Sequence, residues 1–230
     1  MTRTPAPLDS SASIADAAKM AYLIGTDEAG YGPNLGPLVI ATSIWRFDTN
    51  RHGGDLYERL SDVVTRKATN ESHRLAIADS KQLHRRGDLS QLERGVLALA
   101  ALAGDSAPPL TWHDLRHRVG IDRPDTPTLP WYDGFELPLP HSLDAPISDE
   151  LLRAWRDALD ATNTELVSLR AVVIEPDEFN DEVRRHGTKG AVLSNRSLDL
   201  IQSAMTGLLP DPVQIICDQH GGRNHSGPLL

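Results

Sequence analysis

Two adjacent carboxylates, Asp27 and Glu28, follow the short apolar run AYLIGT and precede the glycine-rich stretch AGYGP. A third acid, Asp218, follows a second apolar run, VQIIC. Carboxylates on neighbouring strands repel one another unless a cation or a proton neutralises them, and Mg²⁺ and Mn²⁺ prefer oxygen ligands. Convergence of these strand ends would therefore build a metal site, whereas each acid taken alone could simply cap the turn after its strand.

Composition limits the kinds of partner and compartment. The chain has 230 residues, of which 40% are hydrophobic and 24% charged, as in an ordinary soluble globular protein. A net charge of -9 argues against holding nucleic acid by bulk positive charge and leaves only a local basic groove. The single cysteine, Cys217, excludes an internal disulfide framework and suits a reducing cytoplasm.

The chain is expected to consist of a tail and one domain. Residues 1–19 are rich in Pro, Ser and Ala, which predicts a flexible tail before a domain over residues 20–230. The tail lacks the continuous apolar core of a signal peptide, and no later run approaches the roughly 18 apolar residues of a membrane span. We therefore expect a cytoplasmic monomer with no membrane partner.

Strand and helix patterns alternate along the domain, which predicts an α/β fold. AYLIGT and PLVIATSIWRF predict two strands around a glycine-rich turn, and later strands are predicted at SLRAVVIEP and PVQIICD. Helical spacing covers residues 54–69, 88–103 and 149–160, and NRSLDLIQSAMTGLL predicts a further helix. From about 104 to 150 the chain is proline-rich without sustained periodicity, which indicates an inserted arm.

Two other motifs do not support a function. GYGPNLG departs from the dinucleotide-binding fingerprint because Leu35 stands where the third glycine belongs and a strand follows. His113 and His117 have the i, i+4 spacing of zinc ligands on a helix, but Asp114 replaces the glutamate of a zinc protease. We interpret both histidines as surface residues.

Four segments resemble, in family order, the type 2 ribonucleases H, ribonucleases HII and HIII. GTDEAGYGPNLGPLVIAT resembles their first motif, a strand ending in D-E, a G-x-G turn and a second strand. Asp79-Ser80-Lys81 with Leu83 resembles their D-S-K-x-L motif. IEPDEFND followed by NRSLDLIQSAM, and then IICDQHGGR, are similar to the segments that lead to the third catalytic aspartate. The likeness spans roughly residues 21–223.

The resemblance implies a ribonuclease H-like fold, a mixed central β-sheet with helices on both faces. It implies two-metal hydrolysis of the RNA strand of RNA·DNA hybrids or of DNA with embedded ribonucleotides. Asp27, Glu28 and Asp218 would be the catalytic acids and would bind two Mg²⁺ or Mn²⁺ ions. Such a pair of ions, about 4 Å apart, activates the attacking water and stabilises the leaving oxygen.

The resemblance also implies substrate contacts. Peptide groups at Gly30 and Gly32 would approach a sugar closely and hydrogen-bond its 2′-OH, which distinguishes RNA from DNA. Tyr31 replaces the basic residue that the family usually carries between these glycines, so one phosphate contact is weakened. The implied contacts are Gly30, Tyr31, Gly32, Ser80, Lys81 and Asn195.

Alternatives remain for several of these residues. ADSKQL could be only a turn with an N-capping acid or serine before a helix, and Asn195 could start its helix rather than contact substrate. The family supplies a fourth carboxylate after the Asp218 strand, whereas this chain ends twelve residues later. The alternative function is therefore a C-terminally truncated, catalytically impaired remnant that binds nucleic acid or has a structural role.

Overall fold

The computed structural model describes residues 19–29, 36–50, 55–84, 87–121, 129–208 and 210–217. The predicted tail, residues 1–19, lies outside the described part except for Lys19. In chain order the elements are β1 Met20–Ala29, β2 Leu38–Asp48, α1 Leu56–Arg59, β3 Val64–Thr65, β4 Leu75–Ala76, α2 Ser80–Leu83, α3 Ser90–Ala103, α4 Trp112–Arg118, the 3-10 helix Pro130–Tyr132, α5 Asp149–Ala161, β5 Thr164–Ile174, α6 Pro176–His186, α7 Lys189–Met205 and β6 Val213–Cys217.

The main sheet is mixed, with the strand order β5-β2-β1-β6. β1 and β2 pair antiparallel, as do β2 and β5, whereas β6 pairs parallel to β1. Strands β3 and β4 form a separate small parallel pair. The predicted α/β class with a mixed central sheet is confirmed.

Helices cover both faces of this sheet. On one face, β1, β2 and β5 contribute large buried side chains that pack with α3 and α5. On the other face, Ile40 of β2 and Ile174 of β5 are fully buried in a cluster with Leu193 of α7. The first face is built from these residues: Ala21, Leu23, Trp45, Phe47 and Leu166 of the strands, Ala98 and Ala101 of α3, and Leu151, Leu152, Trp155 and Leu159 of α5.

Helix α5 illustrates why the predicted helices form. Ser148 is its N-cap and its side chain accepts a hydrogen bond from Leu151 N at 3.2 Å. Acidic residues Asp149 and Glu150 occupy the first turn, where they complement the positive end of the helix dipole. Its apolar residues recur at helical spacing, and Trp155 is 1% exposed. Helices α3 and α5 lie where the sequence predicts them.

Two segments differ from the sequence-based expectation. The helix predicted over 54–69 is limited to α1, because the backbone then turns and pairs as a strand, with Leu75 N donating to Val63 O at 2.8 Å. Val63 and Val64 are β-branched and buried in the α3/α5 core, so packing overrides their helical spacing. The segment IEPDEFND, for which the sequence predicts no helix, leads from β5 into α6, which ends at Gly187 in the left-handed conformation.

The proline-rich segment predicted as an inserted arm contains α4, the 3-10 helix and a short pairing of its own. Trp112 N donates to Leu137 O, and Leu139 N donates to Leu110 O, both at 2.8 Å. The arm lies along the outer edge of β5, where Ala171 N donates to Val119 O at 2.8 Å. It therefore covers a sheet edge that would otherwise expose backbone donors.

Helix length and hydropathy bear on the expected lack of a membrane partner. Within the described ranges, no helix is both long enough and apolar enough to cross a bilayer.

His113 and His117 lie on α4 with exposed side chains, as expected for surface histidines.

Candidate acidic site at the open end of the sheet

Both adjacent acids lie within β1 rather than in the turn after it. The strand continues to Ala29, with Asp27 paired to Ala41 and Glu28 to Ile40. Two side-chain hydrogen bonds brace β1 against β2 just before the acids: Thr26 Oγ1 donates to Ala41 O at 3.0 Å, and Thr42 Oγ1 donates to Gly25 O at 2.9 Å. The backbone that carries Asp27 is therefore held by the sheet.

Asp27 is exposed at this strand end. Its Oδ1 accepts a hydrogen bond from Glu28 N at 2.9 Å, which orients the carboxylate. An ionised carboxylate has about four lone-pair sites, so one hydrogen bond leaves capacity for a cation. Asp27 thus has the exposure and the chemistry of a metal ligand.

Glu28 is directed to the opposite face of the sheet. Successive side chains alternate across a strand, and its partner Ile40 is buried against Leu193 of α7. Asp27, by the same alternation, shares a face with Leu23, which packs against the α3/α5 core. The structure therefore does not bring these two carboxylates together on one face.

The strand β6 approaches Asp27 in parallel. Thr26 pairs with Cys217, which is the last described residue of β6. Asp218 follows Cys217 in the sequence but lies outside the described residues, as do Gly30, Tyr31 and Gly32. Among the residues that the structure describes, which do not include Asp218, no three His, Cys, Asp or Glu side chains form a group suited to a metal ion.

The Asp79-Ser80-Lys81 motif forms a helix N-terminus. Asp79 is the N-cap of α2, and its Oδ1 accepts a hydrogen bond from Lys81 N at 2.8 Å. The turn with an N-capping acid is therefore the geometry observed. Ser80 and Lys81 are exposed, so their substrate contacts stay predictions that the geometry permits.

Asn195 lies inside α7 and does not start it. The helix begins at Lys189, after the N-cap Thr188, whose Oγ1 accepts from Ala191 N at 3.1 Å. The alternative that Asn195 starts its helix is therefore wrong, because the capping signal lies seven residues earlier. Asn195 Nδ2 lies 3.2 Å from His186 Nδ1 of α6, a contact that ties the two helices together.

The next residue, Arg196, joins the same two helices more strongly. Its Nε donates to Glu182 Oε2 at 3.0 Å, its Nη2 also bonds Glu182 Oε1, and it pairs with Glu178. Glu182 is 7% exposed, and this pairing raises the pKa of Arg196. These ion pairs between Arg196 and the two glutamates stabilise the packing of α6 against α7.

Small side chains form a floor beside Asp27, on the same face of the sheet. Gly25 and Ala29 of β1 lie on either side of it at alternate positions, and Ser43 and Ala41 are opposite on β2. Ala41 is exposed, so neither α3 nor α5 covers this part of the face. A signal for this floor is present in the sequence, because Gly25 and Ala29 flank Asp27 at alternate positions of β1 and Ala41 and Ser43 alternate on β2.

A pocket lies where the arm meets the edge of β5. Glu175 lines it, and burial raises the pKa of this carboxyl, while a hydrogen bond from Tyr132 acts in the opposite direction. The Arg116 guanidinium lies 5.9 Å from the centre of the Tyr132 ring. Sequence reasoning missed this site because its residues come from three separated segments. The lining consists of Trp112, Arg116, Ile121, Tyr132, Ala171, Val172, Val173 and Glu175.

Comparisons of the chain with protein-family models, with curated proteins and with solved structures gave no match. Its function is therefore inferred from its own residues and their geometry.

Proposed function

We propose that this chain is a metal-dependent endonuclease of the type 2 ribonuclease H kind, with a ribonuclease H-like fold. Its substrates are RNA·DNA hybrids or DNA with embedded ribonucleotides, and it hydrolyses the RNA strand. The observation that carries the proposal is the parallel pairing of β1 with β6, in the register Thr26 to Cys217. In the sequence, Asp27 follows Thr26 and Asp218 follows Cys217.

The register supports a shared cation for these two acids. Parallel strands deliver their carboxyl ends to the same edge of a sheet, and neighbouring strands lie about 4.8 Å apart. If the pairing continues by one residue, Asp27 and Asp218 become neighbours on one face. Two carboxylates at that spacing repel each other unless a cation lies between them.

The donor set of the described residues fits a hard divalent cation in part. Asp27 is exposed and supplies oxygen, the ligand type that Mg²⁺ and Mn²⁺ prefer. Glu28 points to the other face in the described conformation, so its implied role as a ligand requires its carboxylate to reach around the strand. When bound, two such cations would activate a water for attack and stabilise the leaving oxygen.

The floor beside Asp27 supports the choice of substrate. Because Ala41 and Ala29 are small and exposed, a sugar-phosphate backbone can lie close to the sheet next to the carboxylate. In the proposal, the peptide groups of Gly30 and Gly32 contact the 2′-OH, the group that distinguishes RNA from DNA. Exposed Lys81 contacts a backbone phosphate.

A second candidate function is binding without cleavage. It is favoured by the opposite directions of Asp27 and Glu28, which leave one face with a single described acid of the pair. This candidate is the catalytically impaired relative that binds nucleic acid through the same floor. It differs from the first only in turnover, so binding and cleavage must be measured separately.

The test is a gel assay with Mn²⁺ or Mg²⁺ on a DNA duplex that carries one ribonucleotide and on an RNA·DNA hybrid. We expect cleavage by the wild type and a loss of at least about 100-fold in Asp27→Asn and Asp218→Asn, because metal ligands contribute several kcal/mol to catalysis. Asp62→Asn, a matched change at an exposed acid in the turn after α1, should leave the rate unchanged. Hybrid binding in EDTA without any cleavage would support the second candidate, and absence of both would overturn both.

A further inference from the structure

The pocket between the arm and β5 has the chemistry of an oxyanion site. Trp112 lines it, and its indole Nε1 is buried without a hydrogen-bond partner in the described part of the chain. Arg116, whose guanidinium is a hydrogen-bond donor, and Tyr132 line the same pocket. An indole N–H and a guanidinium both donate hydrogen bonds and accept none, so the matching ligand is an acceptor, preferably an anion.

We propose that this pocket, here named the arm pocket, binds a backbone phosphate of the nucleic-acid substrate. The inference rests on the proposed function, because the phosphate belongs to a strand that also reaches Asp27. It gives the inserted arm a role in substrate binding that the resemblance does not supply.

The size of the arm pocket matches one phosphate group. Its cavity volume is about 40 Å³. A cavity needs roughly 10–15 Å³ of such volume for each water molecule, so the pocket holds about three water-sized groups. The two non-bridging oxygens of a backbone phosphate fit that size, whereas a nucleotide base does not.

The position of the arm pocket aligns it with the acidic site. Asp27 pairs with Ala41, and Ala41 pairs with Ala171, which lines the pocket. These three residues form one row across three strands and share a face of the sheet. Two strand spacings separate the ends of the row, about 10 Å, and exposed Ala41 lies between them. A strand of nucleic acid that crosses the floor can therefore touch both ends.

The arm pocket contains both a cation and a carboxylate, so substitutions of the two should change the binding affinity in opposite directions. The Glu175 carboxyl lines the pocket with Arg116 and Tyr132, and Asp177 and Glu178 follow it on α6. A phosphate entering the pocket is attracted by Arg116 and repelled by Glu175. Removing the cation should weaken binding, and removing the carboxylate charge should strengthen it.

The experiment measures binding of an RNA·DNA hybrid by fluorescence anisotropy in EDTA over a range of salt concentrations. Arg116→Gln should weaken binding several-fold at low salt and reduce the log-log salt slope by about 0.9. Trp112→Phe keeps an aromatic ring but removes the indole N–H, so it should weaken binding, and Glu175→Gln should strengthen binding. Arg153→Gln, which removes the same charge from an exposed position on α5, should do neither. Thermal unfolding of each variant shows whether its fold is intact.

The outcomes separate this inference from the proposed function. If the wild type binds and cleaves but Arg116→Gln and Glu175→Gln match it in affinity and slope, the arm pocket does not contact the strand and only this inference fails. If the wild type binds no hybrid at all, both fail. Calorimetry with inorganic phosphate is an additional measurement. If Arg116→Gln abolishes phosphate binding but leaves the affinity for the hybrid unchanged, the arm pocket is a site for free anions, and the proposed nucleic-acid ligand is wrong.

Discussion

The two halves of one face of the central sheet are built very differently. Where β1 begins and β2 ends, Leu23, Trp45 and Phe47 are at most 8% exposed and pack against α3 and α5. A few residues along the same strands, the same face carries Asp27 and Ala41, both exposed. The first region is here called the packed half and the second the open half. One pair of strands thus serves as core at one end and as a candidate binding floor at the other.

The difference shows how a rigid site is obtained without covering it. Side-chain hydrogen bonds from Thr26 and Thr42 brace the β1–β2 ladder in the open half. On this face the strands are held by each other rather than by a covering helix, while α7 packs against the opposite face. Sites built on strands hold side chains in place better than sites on loops. The packed half supplies the stability that lets the open half remain exposed.

The largest expected effect on folding comes from the packed half. Trp155→Ala removes a side chain that is 1% exposed at the centre of the α3/α5 core, and we expect it to lower the free energy of unfolding by roughly 3–5 kcal/mol. Trp155→Phe should cost less, because it keeps a smaller aromatic ring in the core and removes a buried N–H that has no partner among the described residues. Urea unfolding measures both, and equal losses would contradict this account of the core.

One matched substitution compares the halves directly. Ala98→Leu places the new side chain in the packed half, where Ala98 is 0% exposed, and should cost about 1–3 kcal/mol by overpacking. Ala41→Leu in the open half should change stability by less than about 0.5 kcal/mol and weaken hybrid binding roughly tenfold by filling the floor. Unfolding curves and anisotropy titrations check the pair. Unchanged hybrid affinity in Ala41→Leu would show that the substrate does not lie on this floor.

A smaller effect is expected at Tyr31, which follows β1 in the sequence and lies outside the described residues. Tyr31→Arg should strengthen hybrid binding at low salt and steepen the log-log salt slope by about 0.9, because it adds one phosphate contact. Stacking by the tyrosine ring on a base or sugar would offset part of that gain. Asn70→Arg adds the same charge at an exposed site and is the control. Coincident slopes for wild type and Tyr31→Arg would refute this prediction.

The smallest expected effect is a pH dependence at the arm pocket. Burial raises the pKa of Glu175 above its ordinary value of 4.5, so the folded state binds this proton more tightly than the unfolded state. Its effect on stability is therefore unfavourable once the pH rises above the ordinary value, and Glu175→Gln should remove that decline. Asp114→Asn is the opposite control, because hydrogen bonding from Arg118 lowers the pKa of Asp114, and its stabilising contribution is lost as the pH falls. The measurement is the free energy of unfolding of wild type and Glu175→Gln as the pH rises from below to above 4.5. Parallel curves for the two proteins would contradict the burial of Glu175.

The sequence predicted the parts of the fold that have strong local periodicity. Helices α3 and α5 and strand β6 were located from their apolar spacing, because burial and helix or strand geometry agree there. The predicted helix over 54–69 was wrong after α1, since Val63 and Val64 are held in a strand-like segment by tertiary contacts that no local pattern reveals. Long-range packing decided the structure at that point.

The candidate site shows the same division. The two strands that lead to Asp27 and Asp218 follow from apolar patterns, whereas the parallel pairing of β6 with β1 is visible only in the structure. The direction of Glu28 depends on how far β1 extends, and strand ends are the least predictable part of an element. The arm pocket could not be predicted, because Trp112, Tyr132 and Glu175 meet only after the arm docks on β5. The arm has no sequence periodicity, so its contacts with β5 could not be read from a local pattern.

The most direct test of the central claim is a titration of the protein with Mn²⁺, followed by calorimetry or by the paramagnetic signal of the free ion. If the ends of β1 and β6 form a metal site in the open half, the wild type binds Mn²⁺, and Asp27→Asn and Asp218→Asn each weaken that binding at least about tenfold. Asp62→Asn leaves the affinity unchanged. Equal Mn²⁺ affinity in Asp27→Asn and wild type would contradict the metal site and, with it, the proposed hydrolysis.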